Sequence, residues 1–305
     1  MIKIILLLVL FLFASCGGSS DIELEDIAAP APYELAISQE EDNGEPEAEP
    51  SDIPDEYIVS LELDPEANFA QGISRIVFTN RSGEPMESIA LRVYLNTFHE
   101  HMNIQHAFWG NEELETELDF TMLTLFLPEY LAENATMELL LQYEVSIPML
   151  SPVTGRNDYV MWFDMFFPMI DAAEAANFHV EITTPMQYEV IGTGLRSEEV
   201  IEDTKTRITR FNAFTTNDFA FAVSPYFRHA HTATESGIDI HLYYYTKALE
   251  VDDILARACE IMEVFEQTMG SYPFGHISIV EIEGTFILMA EEVYGESLRL
   301  FFGGF

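Results

Sequence analysis

The histidine-rich stretch His99-Glu100-His101 comes nearest to a metal-binding motif in this sequence. A catalytic zinc site of the His-Glu-x-x-His type places two imidazoles on one helix face, beside a glutamate that activates the zinc-bound water. Met102-Asn103 follows here, so the second histidine is missing, and the complete motif occurs nowhere in the chain. His99 and His101 can share a strand face, with His106 nearby. This leaves a metal site open, although surface or loop histidines are the simpler interpretation.

The other histidines and the cysteine Cys259 form no recognisable catalytic or metal-binding motif. His179 and His241 alternate within strand patterns and are interpreted as sheet residues, whereas His229 and His231 are predicted to lie in a loop. Cys259 lies among predicted helix residues without the motif of a nucleophile. The sequence contains no nucleophile elbow, P-loop or dinucleotide fingerprint. We therefore predict no catalytic residues and no metal ligands in this chain.

The charge of the chain narrows the range of partners. Its 305 residues carry 53 acidic and 13 basic side chains, for a formal net charge of −40. Nucleic acid is excluded as a natural partner, because phosphate binding needs clustered lysine and arginine. Cationic and small-molecule ligands stay open, and solubility is the simplest explanation of the acidity. The length corresponds to about two domains of roughly 100–200 residues.

Residues 1–16 have the layout of a secretory signal. Lys3 precedes an apolar run over residues 4–13, which is too short to span a membrane as a helix. The small residues before Cys16 resemble a bacterial lipobox, although Phe13 stands where leucine is usual. This resemblance implies lipidation of Cys16 and anchoring outside the cytoplasm, on a membrane of the bacterial cell envelope. The alternative is an ordinary signal peptide with a chance cysteine.

Residues 17–55 are predicted to form a disordered acidic tether. They contain no lysine or arginine and are rich in Glu, Asp, Pro and Ala. Such a segment cannot bury enough apolar surface to offset the entropy cost of ordering. The tether would hold the folded part away from the membrane.

From Glu56 onward the sequence alternates apolar and polar residues, which predicts short strands with turns between them. The predicted strands are 57–63, 73–79, 89–95, 118–126, 137–147, 178–182, 188–191, 206–211, 219–223 and 238–244. This pattern is typical of an antiparallel β-sandwich, which we place at residues 56–247. The chain is therefore predicted to be mainly β.

Residues 248–305 are predicted to begin a second unit that contains a helix. Asp252 or Asp253 can cap the start of this helix, and Gly270 stands where its C-terminal glycine belongs. A β-branched strand is predicted at 276–282. The apolar stripe of the helix consists of Ile254, Leu255, Ala258, Ile261, Met262, Phe265 and Met269.

Several segments, in this order, carry a resemblance to a known family. They are 61–64, 76–80, 166–168, 178–185, 188–194, 217–224 and 238–244, followed by the helix, Gly270, Tyr272-Pro273 and Val280-Glu281. Together they resemble the N-terminal part of the aminopeptidase N-type zinc peptidases, the gluzincins. The resemblance covers about residues 56–290. It implies an antiparallel β-sandwich followed by the start of a truncated α/β, thermolysin-like domain.

The resemblance also implies residues that bind the substrate. In the family, a Gly-x-Met-Glu-like segment follows the Val-Glu strand, and its glutamate binds the free amine of a peptide. Met289 is followed here by Glu291 and Glu292 at an altered spacing, so either glutamate is a candidate. A solvated acidic pair on a loop is the alternative interpretation.

A second candidate is the loop before Phe166-Phe167-Pro168, which in the family shapes the first substrate pocket. Asn157, Asp158, Tyr159 and Trp162 are the candidates in this chain. For Trp162 and its neighbouring phenylalanines, packing in the sandwich core is the stronger alternative.

Two interpretations of the whole chain follow. In the first, it is the N-terminal portion of a membrane-anchored zinc aminopeptidase and is inactive alone. It then holds no cofactor itself, and zinc is expected only where the missing catalytic part is supplied. In the second, it is a non-catalytic extracytoplasmic binding or scaffold lipoprotein. The apolar segment 298–302 favours the first, since it should pair in a sheet that the chain leaves incomplete.

Overall fold

The computed structural model describes residues 54–97, 100–149, 154–171, 175–247, 250–272 and 274–282, and the backbone of 285–290. The predicted signal with Cys16 and most of the predicted tether lie outside these ranges. Within them no helix is both long and apolar enough to cross a membrane. Strands dominate the chain, so the prediction of a mainly β protein is confirmed.

The strands and the helix follow one another along the chain with short connections. In order they are β1 (Asp55–Asp64), β2 (Phe69–Thr79), β3 (Met86–Arg92), β4 (Met102–Trp109), β5 (Glu112–Glu113), β6 (Glu115–Asp119), β7 (Met122–Leu131), β8 (Thr136–Ser146), β9 (Gly155–Arg156), β10 (Met161–Phe163), β11 (Met169–Ile170), β12 (Ala176–Pro185), β13 (Glu189–Gly192), β14 (Leu195–Ile201), β15 (Thr206–Thr216), β16 (Phe221–Ser224), β17 (Arg228–Ala233), β18 (Asp239–Tyr244), α1 (Val251–Met269), β19 (His276–Ile282) and β20 (Thr285–Ala290).

Three sheets build the sandwich part. The largest has the order β14-β15-β12-β1-β2-β8-β4-β5, and two smaller sheets have the orders β11-β3-β7-β6 and β13-β16-β10-β9. Neighbouring strands are antiparallel except for β1 and β12, which run parallel. One core contains alternate residues of these strands, for example Tyr57, Val59 and Leu61 of β1. The predicted antiparallel sandwich is therefore confirmed.

The sheet β13-β16-β10-β9 is buried on both faces. Phe163 and Phe221 stack within the main core, with ring centroids 4.2 Å apart. Trp162 and Ala222, one position away, point to the opposite face and join a second apolar cluster with Val280 of β19. This explains why β10 and β16 show continuous apolar runs rather than alternation.

The second unit is a sheet of order β17-β18-β19-β20 with α1 on one face. The connection through α1 makes β18 and β19 parallel. Leu255, Ala258 and Met262 of α1 are buried, and they pack in one cluster with Ile240 and Ile279 of the sheet. Ile254 and Phe265 of the predicted apolar stripe pack against the same cluster, whereas Met269 is 67% exposed and Ile261 is not part of it, so the stripe faces the sheet only in part.

Three local predictions about this unit were wrong. Residues 238–244 were assigned to the sandwich, but β18 pairs with β17 and β19. His229 and His231 lie in β17 rather than in a loop. The residue before α1 is Glu250, which makes no side-chain capping bond, so Asp252 and Asp253 belong to the first turn instead. Their charges still favour the helix, because its N-terminus carries partial positive charge.

Two predicted strands of the sandwich also end differently. The segment 118–126 is a hairpin, because Phe120 adopts a positive φ of 58° between β6 and β7. The strand predicted at 89–95 ends at Arg92, and a 3-10 turn follows at Tyr94–Thr97. In that turn Asn96 Oδ1 accepts the backbone N–H of Met102, at 2.8 Å, which ties the turn to β4.

A glycine of β2 faces the largest side chain of its neighbour strand. Gly72 pairs directly with Tyr143 of β8, and the buried Tyr143 ring covers the place where a Cβ atom would stand. The Tyr143 hydroxyl and the Ser74 hydroxyl are hydrogen bonded at 2.9 Å. The ring is therefore fixed both by the missing Cβ and by this bond.

We predict that Gly72→Ala lowers the free energy of unfolding by about 1–3 kcal/mol, because the added methyl group forces the buried Tyr143 ring to move. Thermal and urea unfolding measure the change. Gly275→Ala is the matched control, since a Cβ there meets no atom within 4 Å. Equal stability of the two variants would contradict the close approach of Gly72 and Tyr143.

Candidate functional site

The loop before β10 is shaped by one asparagine. Asn157 Oδ1 accepts the backbone N–H groups of Tyr159, at 2.8 Å, and Val160, at 2.9 Å. The Ser224 hydroxyl donates to the carbonyl of Tyr159 at 2.6 Å. This compact turn leaves Asp158 and Tyr159, two of the predicted substrate-binding residues, at the surface, with Tyr159 53% exposed.

Tyrosine rings from both units meet at this loop. Tyr159 stacks on Tyr245, with ring centroids 5.2 Å apart and planes at 11°, and meets Tyr226 edge-on at 5.9 Å. Asn157 Nδ2 donates to the Tyr245 hydroxyl at 3.3 Å. A cavity of about 220 Å³ opens beside them. Its lining includes Asp158, Tyr159, Tyr188, Tyr226, Arg156 and Asn68. We call this space the tyrosine cleft.

A buried glutamate of the second unit binds the backbone of Tyr245, whose ring stacks on Tyr159 of the tyrosine cleft. Glu281 of β19 is only 3% exposed, and its Oε2 accepts the backbone N–H groups of Tyr245, at 2.8 Å, and Thr246, at 3.0 Å. The Thr246 hydroxyl donates to its other oxygen. Glu281 therefore positions the backbone that carries Tyr245, and so the ring against which Tyr159 stacks.

Trp162, the last of the four loop candidates, does not line the tyrosine cleft, whereas Asn157 does. Trp162 is 1% exposed and lies in the apolar cluster between the sandwich and β19, together with Ile191 and Ile282. Phe163, one position later, points into the sandwich core. The core interpretation of these aromatic residues is therefore correct.

Glu291 and Glu292 lie outside the described residues. The strand before them, β20, pairs antiparallel with β19, and its last residue Ala290 is opposite Ile277. Glu281 and the tyrosine cleft belong to the other end of β19. The structure therefore describes Asp158 and Tyr159 at one site and leaves the two glutamates as a prediction.

The histidines considered for a metal site from the sequence contact other residues in the structure. His106 Nδ1 lies 2.8 Å from a carboxylate oxygen of Glu113, and His101 Nδ1 lies 3.3 Å from the hydroxyl of Ser146. His99 is outside the described ranges. In the part of the chain that the structure describes, no three His, Cys, Asp or Glu side chains are arranged to hold a metal ion.

A second cavity, which the sequence did not predict, lies on the face of the second sheet opposite α1. The strand pairing places His231 beside His241, and His229 beside Tyr243. His276 begins β19 next to them, with its ring 6.1 Å from that of His241. The alternation of His229, Ala230 and His231 in the sequence could have indicated a strand with its histidines on one face, since Ala230 packs toward α1 on the other face.

We call this cavity, of about 580 Å³, the histidine groove. Its other wall is β14, where Arg196 Nη2 lies 2.8 Å from a carboxylate oxygen of Glu198 and 3.7 Å from one of Glu189. Burial and the charge of His231 lower the pKa of His229. Burial, then His229 and His276, lower the pKa of His241. These rings therefore favour the neutral form.

The comparisons with known proteins concern the fold. No family model matches the sequence, and no curated protein sequence matches it. Several solved structures match the fold of this chain. An M1 zinc metallopeptidase from Deinococcus radiodurans aligns with a TM-score of 0.59 at 14% identity, over 79% of this chain and 61% of that chain. A mutant of the enzyme bound to a Tyr-Ser-Ala substrate aligns with a TM-score of 0.58 at 15% identity, over 75% and 56%.

The likeness shows the fold. A two-domain M1 zinc metallopeptidase mutant bound to L-arginine gives a TM-score of 0.60 at 14% identity, over 78% of this chain and 60% of that one. The predicted resemblance to the aminopeptidase N-type peptidases is therefore confirmed for the fold. The chain spans about 60% of the length of the neighbour that it matches.

We predict that Glu281→Ala loosens the segment that carries Tyr245, because two partly buried N–H groups and the Thr246 hydroxyl lose their acceptor, which costs up to about 1–3 kcal/mol for each group left without a partner. Hydrogen exchange should speed up at the amides of Tyr245 and Thr246. Glu263→Ala is the control, since Glu263 is exposed on α1. Unchanged protection of both amides in Glu281→Ala would refute this role.

Proposed function

We propose that this chain is the N-terminal, substrate-positioning part of a membrane-anchored zinc aminopeptidase-like protein, which removes N-terminal residues from peptides. The tyrosine cleft is the observation that carries the proposal. Residues of the sandwich line it, and one of them, Tyr159, stacks on Tyr245 of the second unit. The fold of the M1 zinc metallopeptidases supports the same assignment.

The cleft offers the contacts that a peptide N-terminus needs. The Asp158 carboxylate at its rim can accept a charge-assisted hydrogen bond from a free α-amino group. The faces of Tyr159 and Tyr226 offer apolar and cation–π contact to the first side chain. Because the turn around Asn157 is hydrogen bonded internally, these groups are pre-positioned, which lowers the entropy cost of binding. Glu291 and Glu292 remain candidates for a second contact to the amine.

The bond-cleaving chemistry is not assigned to this chain. A zinc ion in such a protein would polarise the scissile carbonyl and activate water. The sequence lacks His-Glu-x-x-His, and the described residues do not offer the donor set of a catalytic zinc site. We therefore propose that the chain hydrolyses no peptide by itself, and that a catalytic part supplied with it brings the zinc ion.

The location follows from the N-terminal sequence. We propose that Cys16 is lipidated and that the tether of residues 17–55 holds the folded part outside the cytoplasm, near the membrane of a bacterial cell envelope. Peptides present there are the proposed ligands. The acidity of the chain supports a cationic N-terminus as ligand and opposes nucleic acid.

We predict that the purified chain binds the tripeptide Phe-Ala-Ala through its free amine, and that the N-acetylated tripeptide binds at least about tenfold more weakly, a difference of about 1.4 kcal/mol. NMR titration measures both. Asp158→Asn should abolish the preference for the free amine, and Tyr159→Ala should weaken both peptides.

The matched controls are Asp203→Asn and Tyr130→Ala, which change exposed residues outside the lining of the tyrosine cleft. Equal affinity of the wild-type chain for the free and acetylated peptides would overturn the role of Asp158. Equal effects of Tyr130→Ala and Tyr159→Ala would overturn the role of the cleft.

We further predict that Cys16→Ser moves the protein from the membrane fraction to the soluble fraction of a bacterial host, because the substituted residue has no thiol to carry a lipid. Fractionation and mass spectrometry of the purified protein measure this. Ser15→Ala is the control, since it leaves the thiol in place. Membrane association of Cys16→Ser equal to that of the wild type would rule out lipid anchoring at this residue.

A further inference from the structure

Two histidines bring ring nitrogens together at the edge of the histidine groove, which His241 lines and His229 adjoins. His229 Nε2 of β17 lies 3.0 Å from His241 Nδ1 of β18. Their rings are nearly parallel, at 22°, with centroids 5.2 Å apart. The two residues are diagonal neighbours on adjacent strands, since His229 pairs with Tyr243 and His241 pairs with His231. The hairpin register therefore fixes this pair.

The separation of these nitrogens suits a shared metal ion. A transition metal binds imidazole nitrogen at about 2.0–2.1 Å. Two such nitrogens at angles of about 90–109° around one ion are about 2.9–3.3 Å apart, which spans square-planar and tetrahedral geometry. The observed 3.0 Å lies in this range. Imidazole is a ligand that copper, zinc and nickel ions accept.

We propose that His229 and His241 form a two-imidazole binding site for a divalent transition-metal ion, which prefers Cu²⁺ to Zn²⁺. The preference follows the general order of affinity of nitrogen ligands for these ions. No third His, Cys, Asp or Glu side chain among the described residues converges with the pair, so water completes the coordination. This site is separate from the proposed aminopeptidase function and needs no peptide.

The surroundings of the pair act on a positive charge in both directions. Burial, the largest effect, and the neighbouring histidines lower the pKa of His229 and of His241, whereas Glu189 and Asp239 act in the opposite direction. Arg196 on the facing wall is paired with Glu189 and Glu198, so its positive charge is offset. The net charge of −40 adds long-range attraction for cations.

Binding requires a change of tautomer and a turn of both rings, because the facing nitrogens are 3.0 Å apart and the ring centroids 5.2 Å apart, so each ring points at the other ring and not at a common point beside them. Each neutral ring carries one N–H group, and the hydrogen bond between His229 and His241 uses one of them. When the metal binds, that proton moves to the other nitrogen of its own ring through exchange with water. Both facing nitrogens then donate a lone pair to the ion, with no net release of protons and no oxidation or reduction.

The test titrates the purified chain with CuCl₂, and separately with ZnCl₂, by isothermal calorimetry at pH 7.5. We expect one strong Cu²⁺ site per chain, with weaker binding of Zn²⁺. His229→Ala and His241→Ala should each weaken Cu²⁺ at least about tenfold, since one ligand is lost. Electron paramagnetic resonance of the Cu²⁺ complex should show two coupled nitrogens in the wild type and one in either variant.

His231→Ala is the matched control. It removes an imidazole from the same sheet face, with its ring centroid 5.7 Å from that of His229, but leaves the nitrogen pair intact. It should keep the strong site. Circular dichroism and the conservative variants His229→Gln and His241→Gln separate loss of a ligand from loss of fold.

Three results would overturn the proposal. The first is an unchanged Cu²⁺ affinity when His229 and His241 are both replaced by alanine. The second is a paramagnetic resonance spectrum of the wild-type Cu²⁺ complex that does not show two coupled nitrogens. The third is an equal loss of Cu²⁺ affinity in His231→Ala and His229→Ala. Failure of the peptide titration would leave this result untouched, because the two experiments use different ligands and different residues.

Discussion

The apolar contact between the sandwich and β19 is the constraint on which the two cavities depend. Trp162 and Ile191 pack there against Val280 and Ile282, all of them buried. Apolar burial is non-directional, so it brings the two units together without fixing their orientation. A polar contact at the rim supplies direction, since Asn157 Nδ2 donates to the Tyr245 hydroxyl across the two units, and Glu281 fixes the backbone of Tyr245 within the second unit.

The sequence predicted the sandwich strands where one face is buried, since a slip of one residue would expose the whole apolar set. In β1 the buried residues Tyr57, Val59 and Leu61 stand at alternate positions, although Ile58 is buried as well. The prediction failed at Phe120, because the turn between β6 and β7 contains no glycine to mark it. It also failed for β17, whose polar residues look like a loop until their pairing with β18 is known.

The residues of the two cavities could be predicted from the sequence to different extents. Asp158 and Tyr159 were predicted through the resemblance to a family, and both line the tyrosine cleft. Their partners Tyr245 and Glu281 follow far along the chain, so only the fold shows that they meet. The histidine groove depends on strand register as well: His229 and His241 become neighbours only through the pairing of β17 with β18.

The strand β18 links the two cavities. His241 and Tyr243 line the histidine groove, and Tyr243 and Tyr245 also pack beside the apolar contact with the sandwich. His241 and Tyr243 alternate along β18 and point to one face, as expected for a strand with a two-residue period, and Tyr245 follows just after the strand ends. His229 stacks on Tyr243, with centroids 4.8 Å apart, and Tyr159 stacks on Tyr245. One face of β18 and the residue after it therefore carry His241 of the histidine groove, the contact between the units and the ring that stacks on Tyr159. A change in the register or twist of β18 would alter all three together.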